Sequence, residues 1–225
     1  NDVRSNGPES NLHLPLWKLV RASAAAPFFF EPEPFEFGGK QHLFFDGGLT
    51  PYNNPAFKLF QMATLPEYRL NWETGADRLL LVSVGTGLRP RDLANETIDT
   101  VNFVSALPAA VHALMYTSAT EQDLVCRSFG CVVAGASIDG EVGTVGESES
   151  IGGRDLYTYA RYNADLSQKA LDKLGLRYGS NVNFSLDNLD CIDACREVGR
   201  LVSEHTVRPE HFDGFWATPD KPNES

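Results

Sequence analysis

Arg78-Leu79-Leu80-Leu81-Val82-Ser83-Val84, closed by Gly85-Thr86-Gly87, is a continuous apolar run of strand length. Apolar residues stand at both parities, so both faces of such a strand call for cover. A strand of that kind belongs in the middle of a sheet flanked by helices, usually a parallel sheet. The rest of the chain is therefore read for helices that could flank it and strands that could pair with it.

N-terminal to this run, residues 1–11 are polar, contain Gly7-Pro8 and read as a loop. Residues 12–26 carry Leu16, Leu19, Val20 and Ala24 at helical spacing, with Pro15 suited to the first turn and Pro27 as the stop. Residues 28–37 form an aromatic and proline-rich connection whose rings either pack on a core or line an acyl pocket. Leu43-Phe44-Phe45 reads as a short apolar strand running straight into Asp46-Gly47-Gly48. Asn53-Asn54-Pro55 follows, with Asn54 as N-cap and Pro55 as first helical residue of a helix through Ala56, Phe57, Leu59 and Phe60.

C-terminal to it, residues 97–128 read as a long helical region that Pro108 bends or divides. Cys131-Val132-Val133-Ala134 is a short strand between Gly130 and Gly135, and residues 136–153 are a Gly-, Ser- and Glu-rich loop. Residues 156–162 alternate as a strand does. Helices are expected near 166–174 and 188–205, and residues 218–225 read as a flexible polar tail. Strands alternating with helices predict an α/β fold, a layered sheet flanked by helices. No repeat or linker divides residues 1–225, so one domain is expected, with an incomplete sheet.

Composition narrows the function classes. The 225 residues carry a formal net charge of −11, which repels nucleic acid and gives no pull toward anionic headgroups. No run of about 18 apolar residues is present, so no transmembrane segment is expected. No secretory signal is visible at the start. The reading is of a soluble protein, cytoplasmic or peripheral to a membrane, with oligomeric state and compartment left open. Cys126, Cys131, Cys191 and Cys195 lack zinc-site spacing and paired histidines. They read as free thiols, with two bridges as the alternative. His13, His42, His112, His205 and His211 show no metal spacing either.

Several short motifs succeed one another in a definite order: Arg21-Ala22-Ser23-Ala24-Ala25-Ala26-Pro27, Phe45-Asp46-Gly47-Gly48, Asn53-Asn54-Pro55-Ala56 and Leu81-Val82-Ser83-Val84-Gly85-Thr86-Gly87. The succession resembles the second half of the patatin-like phospholipases. Gln122-Asp123-Leu124-Val125-Cys126-Arg127 and Tyr159-Ala160-Arg161-Tyr162-Asn163 resemble stretches of bacterial members. The likeness runs from about residue 16 to residue 215 and rests on the ordered set rather than on any one piece.

The resemblance implies a patatin-like fold and a lipid acyl hydrolase with a serine–aspartate dyad, no histidine between the two, no cofactor and no metal. The aspartate falls on Asp46, with Gly47 and Gly48 completing its motif. A carboxylate at the exit of a strand lies at the carboxyl edge of a sheet, where α/β folds place their ligands. Two glycines after it clear the space around it. Such an aspartate can deprotonate a serine hydroxyl within hydrogen-bond reach. The glycines of Gly85-Thr86-Gly87 are expected to turn the backbone beneath the site, with Thr86 framing it.

The nucleophile is a departure from the family pattern. The chain holds no Gly-x-Ser-x-Gly: Gly135-Ala136-Ser137-Ile138-Asp139 and Gly146-Glu147-Ser148-Glu149-Ser150 each lack the closing glycine. No glycine-rich oxyanion segment is present. The serine and the oxyanion hole are therefore expected in an N-terminal part of the domain preceding Asn1, acting with Asp46 on a lipid or ester substrate. The alternative is a non-catalytic lipid-binding or interaction module on the same fold.

Overall fold

A computed structural model of the chain describes residues 13–27, 29–37, 39–88, 103–138, 143, 145, 150–176, 178, 182, 184 and 188–216. The expected loop at 1–11, residues 97–102 of the expected helical region, half of the 136–153 loop and the tail at 218–225 lie outside these residues. The elements run α1 (Leu16–Ser23), β1 (Glu33–Phe37), β2 (Lys40–Phe44), α2 (Ala56–Thr64), β3 (Leu80–Val84), α3 (Phe103–Ser128), β4 (Cys131–Ala134), β5 (Thr158–Tyr162), α4 (Gln168–Lys173) and α5 (Ile192–Thr206). The mixed α/β architecture with a parallel sheet and flanking helices agrees with the sequence reading.

The parallel sheet has the order β3-β5-β4. The last strand to be made therefore lies between the two earlier ones, with Leu80 opposite Thr158 and Val84 opposite Tyr162. Residues 78–84 read as a strand in the middle of a sheet, whereas among the described residues β3 pairs on one side only. β5 holds the centre, with Thr158, Tyr159, Ala160 and Tyr162 all buried. β3 buries Leu81 and Ser83 on one face, while Val82 and Val84 on the other are exposed.

The buried face of the sheet packs on α2 and α3. Ala56 and Phe60 of α2, Leu81 of β3, Cys126 of α3 and the Tyr157–Tyr159 stretch form one core with Leu79, bordered by Phe57, Phe129, Val132 and Leu156. Phe60 meets Tyr157 edge to face at 4.6 Å, and Phe57 stacks on Phe129 at 5.9 Å. The buried phenols keep their hydrogen bonds: Tyr157 Oη donates to the Cys126 carbonyl and Tyr159 Oη to Asp123 Oδ1, both at 2.9 Å. Each large side chain so buried stabilises the fold by about 1.5–3 kcal/mol.

α3 runs unbroken through Pro108. That proline stands in the opening turns, where it removes a single ladder hydrogen bond. The aromatic and proline-rich stretch is not a plain connection: it folds into β1, antiparallel to β2, with Glu33 opposite Phe44 and Phe37 opposite Lys40. β2 is exposed along its whole length, so Leu43-Phe44-Phe45 is not a buried strand of the parallel sheet. A two-stranded ribbon can bury only what its neighbours cover. Here that is Phe35, held between Phe44 at 4.9 Å and the Lys18 ammonium at 4.9 Å. Of the other rings of this stretch, Phe29 and Phe30 are exposed.

Candidate active site

Asp46 lies two residues beyond β2, where the chain leaves the hairpin and crosses to α3. Its N–H donates to the Ala25 carbonyl at 2.9 Å, which pins it to the end of α1. Its Oδ1 accepts the Gly48 N–H at 2.7 Å and so caps the short 3-10 turn Gly47–Leu49. This is the local turn that an aspartate followed by small residues favours. A Cβ on Gly48 would lie 3.2 Å from Oδ1 and 3.7 Å from Met115 Cε, so the glycine permits the close approach of carboxylate, backbone and α3. The Asp46 side chain is half-buried, and among the described residues no cation pairs with it.

A second 3-10 turn, Pro51–Asn53, follows, with the Tyr52 N–H donating to Thr50 Oγ1 at 3.2 Å. Asn53 Nδ2 reaches the Met115 carbonyl at 3.0 Å and ties the loop to α3. Asn54 does more than begin a helix. Pro55 takes the cap position and Ala56 is the first helical residue, while the Asn54 side chain, 1% exposed, turns into the interior. There Asn54 Oδ1 accepts from Ser83 Oγ at 2.9 Å, and Arg161 Nη1 donates to the same Ser83 Oγ at 2.7 Å. A continuous polar line thus joins the loop after Asp46 to a guanidinium on the central strand.

That guanidinium opens on a cavity of about 210 Å³ bounded by Tyr116, Thr120, Asp123 and Arg127 of α3 and by Arg161 and Asn163 at the end of β5. Asp46 does not line it. The two regions meet at adjacent residues of α3, Met115 facing the Gly48 turn and Tyr116 the cavity. Arg127, 1% exposed, donates from Nε and Nη2 to the two oxygens of Asp123, each at 3.1 Å. Burial pushes the Tyr159 hydroxyl well above its usual range, reinforced by the negative charge of Asp123, so Tyr159 acts as a fixed donor. Burial likewise pushes the Cys126 thiol up to about 12.

Gly85-Thr86-Gly87 lies along this end of β5: the Gly85 N–H donates to the Tyr162 carbonyl at 2.8 Å and the Gly87 N–H to Asn163 Oδ1 at 2.9 Å. Thr86 is exposed. All four cysteines are free thiols. No metal-binding cluster of His, Cys, Asp and Glu occurs among the described residues, and no helix among them is long and apolar enough to cross a membrane.

Sequence reasoning singled out Asp46, Gly47 and Gly48 but gave no role to Ser83, Asp123, Arg127 or Arg161. Two signals pointed to them: the Asp123/Arg127 spacing of four on a helix, and a lone arginine inside an otherwise buried strand.

Residues 2–60 match the family model of the patatin-like phospholipases. Over this segment the chain is similar to that family. The matched segment takes in α1, the β1–β2 hairpin, Asp46-Gly47-Gly48 and the first residues of α2, and it ends before the parallel sheet begins. No curated protein and no solved structure matches the chain.

Proposed function

We propose that this chain is part of a lipid acyl-ester hydrolase in which Asp46 is the aspartate of a serine–aspartate dyad. The observation that carries the reading is the family match over a segment containing Asp46-Gly47-Gly48. The half-buried carboxylate supports it, being held by one backbone N–H and free of any described ion pair. The chain has no Gly-x-Ser-x-Gly of its own, so the serine and the oxyanion donors come from sequence outside these 225 residues.

In the reaction Asp46 takes the serine hydroxyl proton as the oxygen attacks the ester carbonyl. The proton then passes to the departing alcohol, leaving an acyl-serine that water cleaves with Asp46 again as base. Gly48 keeps Oδ1 fixed, so Asp46 presents a preset direction to the hydroxyl.

The test is Asp46→Asn in a polypeptide that carries the serine, assayed on a chromogenic acyl ester and on phospholipid. Turnover should fall by about 10²–10⁴-fold, the range for loss of a positioned general base, with an unchanged circular dichroism spectrum. Turnover within a few-fold of the parent would remove Asp46 from the chemistry. If the intact polypeptide holds no serine elbow, the same fold is better described as a lipid-binding module.

A further inference from the structure

The cavity at the carboxyl ends of β3 and β5 has walls suited to a ligand that the hydrolase reading does not use. Arg127 is 1% exposed, and its Nη1 has no hydrogen-bond partner among the described residues. A buried guanidinium normally satisfies all its N–H groups. The rest of the group is firmly set: Nε and Nη2 are committed to Asp123, whose Oδ1 also accepts from the Tyr159 hydroxyl. Gly135 lies directly against it, since a Cβ there would stand 2.4 Å from Nη2.

Arg161 supplies the second cation. Its Nη1 is anchored on Ser83, and its Nη2 lies along the Gly85 backbone, 2.9 Å from where a Cβ would be. The two carboxylates of the cavity wall are already engaged, Asp123 by Arg127 and Tyr159, and Asp165 Oδ1 by the Ser167 N–H at 2.8 Å. The site also sits at the carboxyl ends of parallel strands, where such sheets bind their ligands.

We propose that this cavity binds a small phosphate-bearing anion between Arg127 and Arg161. Arg127 Nη1 and Arg161 Nη2, the nitrogens not committed to Asp123 and Ser83, can donate to different oxygens of one phosphate, a two-point recognition that a chloride ion cannot reproduce. The phosphate belongs either to a free inorganic ion or to a glycerophosphate headgroup. In both cases the anion draws on Arg161, and through Ser83 and Asn54 it bears on the loop that follows Asp46. The inference stands on the cavity alone and needs no ester chemistry.

The experiment is calorimetric titration of the chain with inorganic phosphate, against sodium chloride at matched ionic strength, repeated with sn-glycerol 3-phosphate. Wild-type chain should take up phosphate, Arg161→Gln should weaken it at least about tenfold, equal to about 1.4 kcal/mol, and Arg161→Lys should weaken it less. Thermal melts of each variant establish that it is folded, and Arg161→Lys keeps the test decisive should Arg161→Gln not fold. Tighter uptake of sn-glycerol 3-phosphate than of phosphate identifies a headgroup site, and equal uptake a free-phosphate site. No uptake by the wild type, or equal uptake by the wild type and both Arg161 variants, overturns the proposal. Asp46→Asn should bind phosphate as the wild type does, so a failed dyad and a failed anion site give different results.

Discussion

Replacing Arg127 with methionine tests whether the Asp123–Arg127–Tyr159 cluster holds the helical layer to the sheet. The substitution removes two charge-assisted hydrogen bonds, Nε to Oδ1 and Nη2 to Oδ2, both at 3.1 Å. It leaves the Asp123 carboxylate, whose side chain is only 15% exposed, with the Tyr159 hydroxyl at 2.9 Å. Breaking a buried pair from one side costs about 3–5 kcal/mol, mostly from the charge left behind. The Tyr159 bond and the remaining exposure of Asp123 place the expected loss near the lower end, about 3 kcal/mol. The Nη1 group adds nothing to the loss, because it has no described partner to lose. Urea unfolding followed by circular dichroism reads this directly. With a slope of about 3 kcal/mol/M, the midpoint should fall by about 1 M. Asp123→Asn combined with Arg127→Met removes the stranded charge, so the double variant should be more stable than the sum of the single losses implies, by about 1–3 kcal/mol. A single-variant loss below about 0.5 kcal/mol, typical of a surface site, or strict additivity in the double variant, would refute this account.

Phe60→Ala should cost about 3–5 kcal/mol in thermal or urea melts, since the ring is buried and meets Tyr157 at 4.6 Å. Leu59→Ala, one residue away but exposed, should stay within about 0.5 kcal/mol. Stability should also fall at alkaline pH. Burial raises the Cys126 thiol to about 12 from about 9, so the unfolded chain releases that proton first, and stability present below about pH 9 is lost as the pH rises toward 12. Urea midpoints should therefore drop by the equivalent of up to about 1.4 kcal/mol for this thiol between about pH 9 and pH 10, and Cys126→Ala should flatten that part of the curve.

The layered architecture was legible because periodicity survives in short segments. β4 and α2 fall where apolar spacing and glycine or proline punctuation put them, β5 and α5 come within a few residues, and α3 is helical as expected over its described residues. The strand order was not legible. Leu79-Leu80-Leu81-Val82-Ser83-Val84 has the pattern of a strand covered on both faces, while the described residues cover only the face of Leu81 and Ser83. Thr158-Tyr159-Ala160-Arg161-Tyr162 carries an arginine and three hydroxyl groups, yet it occupies the centre because partners across the fold satisfy those groups: Asp123 for Tyr159, Ser83 for Arg161 and the Ala76 carbonyl for Thr158. Polarity in a single sequence records the chemistry of a side chain but not whether a partner waits for it.

The same distinction separates what the sequence revealed of the site from what it hid. Asp46-Gly47-Gly48 is visible because its hydrogen bond is local, an aspartate oxygen receiving an N–H two residues on, and local geometry is written in adjacent letters. The line from Asn54 through Ser83 to Arg161 joins residues 29 and 78 positions apart. No spacing rule reaches that far, and Asn54 satisfied a helix-start expectation well enough to conceal its inward turn. The Asp123–Arg127 pair lay between these cases: its spacing of four was readable, but on an exposed helix face such a pair contributes only about 0.3–0.5 kcal/mol. Its weight comes from burial, Arg127 being 1% exposed, and from the Tyr159 hydroxyl that donates to Asp123, and these partners are brought together only when the last strand inserts between the first two.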